Sequence, residues 1–165
     1  METEAYIALG SNLGDRELNL LLAVAELGKI YGSRVTALSS FYETVPIGMP
    51  EGTPSFYNAV ARLCTTFQSP LELLKELQRI EQQLFGRAAS AIPASRRMDL
   101  DLLLFGNQNL ETVELTLPHP RMMQRRFVLV PLLDIAPALA DPLSGASLKT
   151  LLSGLSSDQQ VRKLE

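Results

Sequence analysis

The chain has 165 residues, a length that suits one domain. Its formal net charge of −3 at pH 7 argues against a general nucleic-acid binder. Hydrophobic residues make up 46%, enough for a core, and the single cysteine, Cys64, excludes an internal disulfide. No run reaches the ~18 apolar residues that cross a bilayer, and no basic segment precedes the first predicted strand. We therefore expect residues 1–165 to form a single cytoplasmic domain that does not bind membranes.

The first half of the chain predicts a strand, a helix and a second strand. The apolar run at 5–9 predicts a buried strand, and turn residues follow it to Gly14. Asp15 is an expected N-cap, and apolar residues then recur at helical spacing to about Lys29. Alternation predicts the next strand at 35–44, and the proline-rich segment after it predicts a long loop at 45–54.

The second half repeats the strand and helix pattern and adds short elements at its end. Its predicted elements are a strand at 56–66, a helix from Pro70 to about 84, a loop at 85–95, a strand at 98–105, a short strand pair within 110–117 and a helix at 127–135. The order β-α-β-β-α-β predicts an α+β protein, a ferredoxin-like α/β sandwich with helices on one face of an antiparallel sheet and C-terminal additions. This fold hosts many functions and decides none of them.

Two aspartates share one face of the last long predicted strand. Asp99 and Asp101 alternate with Met98, Leu100 and Leu102, so carboxylates and apolar side chains point to opposite faces. Two residues apart, they lie ~7 Å from each other along a strand, and burying both unpaired would be costly. Mg²⁺ usually takes one or two carboxylates together with substrate phosphates. The pair indicates a metal site, and an edge strand with its polar face in water is the alternative.

Arginine is concentrated around this pair. Six of the eleven arginines fall between positions 87 and 126: Arg87, Arg96, Arg97, Arg121, Arg125 and Arg126. Guanidinium groups match phosphate oxygens in geometry and charge. Carboxylates that hold a metal, flanked by arginines, are what phosphoryl transfer needs. A solvated basic face is the alternative.

Three further positions could contact a substrate. His119 is the only histidine, and a lone histidine is usually structural, but its place on a stiff loop between two prolines raises the odds of a phosphate or nucleotide contact. Phe56 and Asn58 begin a strand directly after a proline-rich loop. An aromatic face beside an amide suits a flat heterocycle, and Phe127 could supply a second face. The alternative for these aromatic side chains is an ordinary place in the core.

The motifs occur in a characteristic order. They are Ala8 to Gly14 (ALGSNLG), Ser40 to Thr44 (SFYET) with Pro46, Phe56 to Asn58 (FYN), Ile80-Glu81 with Gly86-Arg87, Arg96 to Leu102 (RRMDLDL) with Phe105-Gly106, and Leu117 to Arg121 (LPHPR) with Arg125 and Phe127. Together they resemble the pyrophosphokinases that convert 6-hydroxymethyl-7,8-dihydropterin to its diphosphate. The resemblance covers the chain from Ala5 to about Pro142. No single motif is specific, whereas the ordered set is.

The resemblance implies a reaction and a set of phosphate contacts. The pyrophosphoryl group of ATP would pass to the hydroxymethyl group of the pterin, with release of AMP, in tetrahydrofolate biosynthesis. Asp99 and Asp101 would hold two Mg²⁺ ions. The remaining residues would contact ATP, with Arg87 and Arg96 on a mobile loop, His119 and Arg125 on the other side of the triphosphate, and Leu102 and Thr116 near the nucleotide.

The resemblance also implies the pterin contacts and the partners. Asn58 would read the pterin edge together with backbone groups of three residues, Thr44, Val45 and Ile47, while Phe56 and Phe127 would sandwich the ring. Loops 45–54 and 86–96 would close over the reactants. ATP and 6-hydroxymethyl-7,8-dihydropterin are then the expected partners, with no nucleic acid or membrane, and the protein would be a monomer or a weak homodimer.

The chain departs from the family pattern in a few places. The loop at 88–95 lacks the usual tryptophan and extra basic residues, and Arg97 replaces a small hydroxyl residue. Glu114 replaces an arginine often found near the adenine, and Pro120 replaces an aromatic residue. These changes predict a working enzyme with weaker ATP binding or altered loop closure.

Three other interpretations remain at the level of sequence. A paralogue could bind pterin or nucleotide without efficient transfer, and the changed loop favours it weakly. A ferredoxin-like RNA-binding module would need exposed aromatic residues on a basic sheet, which the net acidity and the paired aspartates oppose. Nothing specific supports a purely structural or regulatory protein.

Overall fold

A computed structural model describes residues 1–45, 48–86, 96–156 and 159–164. The strands are β1 (Thr3–Ser11), β2 (Ser33–Leu38), β3 (Tyr42–Thr44), β4 (Phe56–Thr65), β5 (Asp99–Phe105), β6 (Leu110–Glu111), β7 (Thr116–Leu117) and β8 (Val161–Lys163). The helices are α1 (Arg16–Leu27), α2 (Pro70–Ile80), α3 (Arg126–Ile135) and α4 (Leu148–Ser153). A π-helical turn, Glu81–Phe85, extends α2, and a 3₁₀ turn, Met122–Gln124, precedes α3.

The helix starts follow the local chemistry that the sequence indicates. Asp15 caps α1, because its carboxylate accepts a hydrogen bond from the Leu18 N–H at 3.1 Å. Ser69 caps α2 in the same way, and Pro70 occupies the first turn, where a missing N–H costs nothing. The predicted N-cap of α1 and the proline start of α2 are therefore confirmed.

The main sheet of the described residues is six-stranded and antiparallel, with the strand order β5-β1-β4-β3-β8, and β2 also pairs with β4. The strand predicted at 35–44 is divided into β2 and β3. Its break falls at Ser39, whose hydroxyl accepts the hydrogen bond of the Val60 N–H at 2.9 Å. A side chain thus replaces a ladder partner at this point, and the chain bends before β3 begins.

Helices cover both faces of the sheet. One core contains Ile7, Leu63 and Leu100 from the strands, packed with Leu20 of α1 and Leu77 of α2. A second core on the opposite face joins the sheet to α3 and α4; its buried members include Tyr6, Val60, Leu104, Leu129, Leu132 and Leu148. The expectation of helices on one face is wrong in this respect. The continuous apolar run Leu102–Phe105 indicated burial on both faces, because a strand buried on both faces does not alternate apolar and polar residues.

The C-terminal additions expected from the sequence contribute two elements to the fold. It supplies α4 to the second core and β8 to the outer edge of β3. Among the described residues, none of the helices is both long and apolar enough to cross a membrane.

Candidate functional site

Strand register assembles the polar residues of the site around one glycine. Gly10 of β1 pairs with Asn58 of β4 on one side and with Asp99 of β5 on the other. Ala8, two residues earlier on the same face, pairs with Asp101. Directly opposite residues on neighbouring strands have Cβ atoms ~5 Å apart. The two aspartates and the amide therefore lie side by side on the sheet face that α3 covers.

A cavity opens between this sheet face, β3 and the start of α3, and we call it the aromatic cavity. Its lining residues are Ala8, Leu9, Gly10, Thr44, Met49, Phe56, Asn58, Asp99, Asp101, Arg125, Phe127, Val128 and Gln159. Phe56 and Phe127 come from β4 and α3, two elements on different sides of the cavity. The side chains predicted to hold a flat heterocycle are thus brought together.

Two buried polar atoms of the aromatic cavity have no hydrogen-bond partner among the described residues. They are the Thr44 hydroxyl oxygen and the Asn58 amide oxygen, and both residues are less than a tenth exposed. A buried polar group without a partner costs about 1–3 kcal/mol. A polar ligand that supplies donors would recover this free energy.

A second cavity adjoins the first and is called the basic cavity. It is lined by Asp99, Asp101, His119, Pro120, Arg121 and Arg125. The two aspartates and Arg125 line both cavities, so the carboxylates lie where a ligand of one cavity would meet a ligand of the other. This shared wall is the main geometric feature of the site.

His119 enters the basic cavity from a loop that is anchored to β5. Its backbone N–H donates to the Leu103 carbonyl at 2.9 Å, and its Nδ1 accepts from the Arg121 N–H at 3.2 Å. Burial lowers the pKa of the His119 imidazole, and the positive charges of Arg125 and Arg121 lower it further. The ring is therefore neutral at pH 7, with its Nε2–H as the donor for an anion.

Arg125 is partly buried beside the carboxylates. Burial lowers the pKa of its guanidinium, while the charges of Asp101 and Asp99 act in the opposite direction. The guanidinium carbon lies 5.4 Å from the centre of the Phe127 ring. Arg125 thus connects the carboxylate pair to the aromatic ring of the neighbouring cavity.

Asn12 joins the two loops that border the site. Its amide oxygen accepts from the Arg96 N–H at 2.6 Å, and its amide nitrogen donates to the Pro54 carbonyl at 3.3 Å. The Asn12 N–H in turn donates to the Arg96 carbonyl at 2.9 Å. The residue therefore fixes the backbone just before the aspartate strand, a role beyond that of a simple turn residue.

Glu81 is a site-forming residue that the sequence reasoning missed. It lies in the π-helical turn, is 6% exposed, and accepts the Leu100 N–H at 2.8 Å. Leu100 stands between the two aspartates, so Glu81 holds the strand segment that carries them. The helical spacing of α2 placed Glu81 among ordinary core-facing positions and concealed this contact.

Several predicted site residues do not line either cavity. Leu102 packs in the core against α1 and α2, Thr116 lies on β7, and Val45 is 59% exposed after β3. The exposed Arg96 contributes its backbone to the Asn12 contacts. Arg87 and Ile47 lie outside the described residues, as does the altered loop at 88–95.

Arg97, which replaces a small hydroxyl residue of the family pattern, extends towards the end of the π-helical turn. Its guanidinium donates to the Phe85 carbonyl at 3.3 Å and lies over the Phe85 ring. Of the other two departures, Pro120 lines the basic cavity, while Glu114 is exposed.

The donor set fits Mg²⁺ better than a transition metal. The described residues contain no cluster of three or more histidine, cysteine, aspartate or glutamate side chains. The site instead offers two carboxylates on one strand face, next to a basic cavity. Mg²⁺ usually takes this number of protein carboxylates and completes its octahedron with phosphate oxygens and water.

Paired carboxylates between an aromatic cavity and an arginine- and histidine-lined cavity define the class of enzymes that transfer phosphoryl groups to an organic acceptor. Comparison with known proteins gives the family. Residues 6–137 match the family model of 7,8-dihydro-6-hydroxymethylpterin-pyrophosphokinase, and the chain belongs to this family. The predicted family and the predicted enzyme class, a pyrophosphokinase, are confirmed.

Two curated relatives are similar over most of their length. Both are named 2-amino-4-hydroxy-6-hydroxymethyldihydropteridine pyrophosphokinase. The Bacillus subtilis protein is 47% identical over 135 residues, which cover 82% of this chain and 79% of the relative. The Haemophilus influenzae protein is 44% identical over 140 residues, which cover 85% and 86%.

A solved structure supports the fold alone. The crystal structure titled HPPK-DHPS in complex with substrates matches with a TM-score of 0.73 at 15% identity. The match covers 92% of this chain and 43% of the larger chain. The architecture of helices packed on an antiparallel sheet is therefore shared with a polypeptide more than twice as long.

Proposed function

We propose that the aromatic cavity binds 6-hydroxymethyl-7,8-dihydropterin and that the basic cavity binds the triphosphate of ATP. The observation that carries this assignment is the wall of Asp99, Asp101 and Arg125 common to both cavities. A group moving from one ligand to the other has to pass this wall. The reaction is transfer of the pyrophosphoryl group from ATP to the pterin hydroxymethyl oxygen, with AMP as the second product, in folate biosynthesis.

The aromatic cavity supplies recognition of the acceptor. Phe56 and Phe127 offer faces for the flat ring, and the Asn58 amide oxygen and Thr44 hydroxyl offer polar contacts to its edge. Because these groups are held by β3, β4 and α3, they orient the hydroxymethyl group without large rearrangement. Orientation of this kind is a major contribution to phosphoryl transfer.

The basic cavity supplies the phosphate contacts. The neutral His119 donates through Nε2, and the guanidinium groups of Arg121 and Arg125 match phosphate oxygens. The pterin hydroxyl attacks the β-phosphorus of ATP and AMP departs, while these donors stabilise the charge on the transferred group. Arg87 and Arg96 are proposed to join them from the loop before β5.

Asp99 and Asp101 are proposed to hold Mg²⁺, and we expect two ions as the family resemblance implies. The metal held by these carboxylates would supply positive charge that offsets the charge of the phosphates. The carboxylates themselves keep their spacing because Glu81 binds the backbone between them. We further propose that residues 1–165 form one domain with a ferredoxin-like sheet, acting in the cytoplasm as a monomer or weak homodimer.

The test is release of AMP from ATP with and without the pterin, in Mg²⁺ and in EDTA. We expect AMP only when pterin and Mg²⁺ are both present. Asp99→Ala should lower turnover at least about 100-fold, because several kcal/mol of charge stabilisation depend on the metal. Pterin binding measured by calorimetry should persist in this variant.

Glu111→Ala is the matched control, because this carboxylate is exposed on β6 and should leave turnover unchanged. Pterin binding by the wild-type protein without AMP release would instead identify a binding protein that has lost transfer. Binding of RNA in a salt-dependent manner, without ATP, would support the RNA-binding alternative.

A further inference from the structure

The C-terminal strand β8 lies beyond the residues that match the family, which end at residue 137. It pairs antiparallel with β3, where Thr44 faces Val161 and Glu43 faces Arg162. The Leu164 N–H also donates to the Phe41 carbonyl at 2.9 Å. A segment beyond the family-model match is thus built into the edge of the sheet, next to the strand that carries Thr44 of the aromatic cavity.

This pairing makes β3 an interior strand. Thr44 has Phe56 of β4 on one side and Val161 of β8 on the other. With only three residues, β3 would be a short and poorly held edge without β8. The position of the Thr44 hydroxyl in the aromatic cavity therefore depends on the C-terminal strand.

An ion pair and a chain of hydrogen bonds connect β8 to β3 and to residues near the aromatic cavity. Arg162 forms a hydrogen-bonded ion pair with Glu43, and Ser55 donates to the same carboxylate at 2.7 Å. Arg16 of α1 donates to the Ser55 hydroxyl at 2.7 Å. The hydrogen bonds from Ser55 and Arg162 lower the pKa of Glu43, so the carboxylate is ionised at neutral pH. Because Ser55 precedes Phe56, this network reaches the aromatic cavity.

Gln159, two residues before β8, lines the aromatic cavity. Its backbone carbonyl accepts from Arg126 Nε at 3.1 Å, which ties it to the start of α3 beside Phe127. Its backbone oxygen is occupied by this bond, and no described residue hydrogen-bonds to its side-chain amide. The side-chain amide is therefore one polar group that Gln159 can offer to a ligand.

We propose that Gln159 is a further pterin-binding residue, positioned by β8 and its ion pair with Glu43. The inference rests on the proposed function of the aromatic cavity. A primary amide has two donors and one acceptor, which suits the edge of a heterocycle that carries both kinds of group. Asn58 and Thr44 contact the ligand from the sheet, and Gln159 adds an amide from the C-terminal segment.

Two substitutions at Gln159 separate hydrogen bonding from packing. Gln159→Ala removes the whole side chain, whereas Gln159→Leu keeps a similar volume without polar atoms. We expect both variants to bind the pterin about 5-fold more weakly in calorimetry, as for loss of one hydrogen bond. ATP affinity measured separately should stay within about twofold. Unchanged pterin affinity in both variants, or full affinity in Gln159→Leu, would overturn the proposal.

The positioning role of β8 has its own test. Arg162→Met removes the ion pair with Glu43, and Lys163→Met is the control because Lys163 is an exposed neighbour on the same strand. Arg162→Met should weaken pterin binding and speed hydrogen exchange at the backbone of β3, while Lys163→Met should change neither. Equal behaviour of the two variants would contradict the positioning role.

Pterin binding and AMP formation by the wild-type protein separate the function proposed for the aromatic cavity from the role proposed for Gln159. If it binds pterin and forms AMP but the Gln159 variants are unaltered, only the role of Gln159 is wrong. If it binds no pterin, the function proposed for the aromatic cavity and the role of Gln159 both fail.

Discussion

At the scale of single residues, Gly10 is the position where the two halves of the site meet. It lies between Asn58 and Asp99 in the sheet, and a Cβ atom built on it would lie 3.2 Å from the Asn58 amide nitrogen. The nearest atom of Phe56 would lie 3.7 Å away. The absence of a side chain thus leaves space for the amide that faces the aromatic cavity.

We expect Gly10→Ala to displace the Asn58 amide and weaken pterin binding about 5-fold, as for loss of one hydrogen bond. Calorimetric titration with pterin measures the effect. Gly28→Ala is the control, since Gly28 has φ −67° and its added Cβ would make only ordinary contacts. Normal pterin affinity in Gly10→Ala would show that Asn58 does not depend on this space.

His119 provides a prediction about pH. Its pKa is lowered in the free protein by burial and by neighbouring arginines, and a bound triphosphate should raise it because negative charge favours the imidazolium. ATP binding therefore takes up a proton, and His119 adds more to affinity as pH falls from about 8 to about 6.

The measurement compares ATP affinity of the wild type and His119→Asn across this range. The ratio of their dissociation constants should grow at lower pH, which separates the histidine from protonation of ATP itself. A ratio independent of pH would place His119 away from the phosphates.

At the scale of secondary-structure elements, a side-chain hydrogen bond links β3 to α3. The Tyr42 hydroxyl donates to Asp134 Oδ2 at 2.5 Å. Burial raises the pKa of Tyr42 above its ordinary value, and the hydrogen bond and charge of Asp134 raise it further. The phenol thus stays protonated and remains a donor at all physiological pH values. β3 carries Thr44 and α3 carries Phe127, so this bond joins two elements that line the aromatic cavity.

Tyr42→Phe should lower the free energy of unfolding by about 1 kcal/mol, the net value of one hydrogen bond. Urea denaturation measures the change, and Tyr31→Phe serves as control because Tyr31 is 89% exposed. Asp134→Asn combined with Tyr42→Phe completes a double-mutant cycle. Strictly additive effects in the cycle would argue against a stabilising bond between the two side chains.

At the scale of the whole molecule, the sheet separates a purely structural core from the site. The core against α1 and α2 includes Leu77, which is fully buried, and the site occupies the opposite face. A small change inside this core should leave the strand register of the site unchanged, because the Glu81 hydrogen bond to the Leu100 N–H does not involve Leu77.

Leu77→Ala should lower the free energy of unfolding by about 2–5 kcal/mol, because it leaves a cavity in the core. Pterin affinity should stay within about twofold when measured well below the unfolding temperature. Leu143→Ala, at a side chain that is 68% exposed, should cost less than about 0.5 kcal/mol. A large loss of pterin affinity in Leu77→Ala would show that the two faces are coupled.

Much of the site was predictable because short-range patterns determine it. Alternation on β5 places Asp99 and Asp101 on one face, and the order of the motifs identifies the family. The Asn12 contacts, the buried Glu81 and the Gln159 position were not predictable in the same way. Each depends on a residue that is distant along the chain, such as Arg96 for Asn12 and Leu100 for Glu81.

The sequence by itself determined a protein of helices and an antiparallel sheet, its family and its paired carboxylates, because these follow from periodicity and ordered motifs within a few residues. Only the tertiary structure decided that helices cover both faces and that β8 borders β3. The tertiary structure alone placed the carboxylates on a wall common to two cavities. The physical reason is that strand neighbours and buried contacts are selected by packing over the whole chain, which local propensity does not encode.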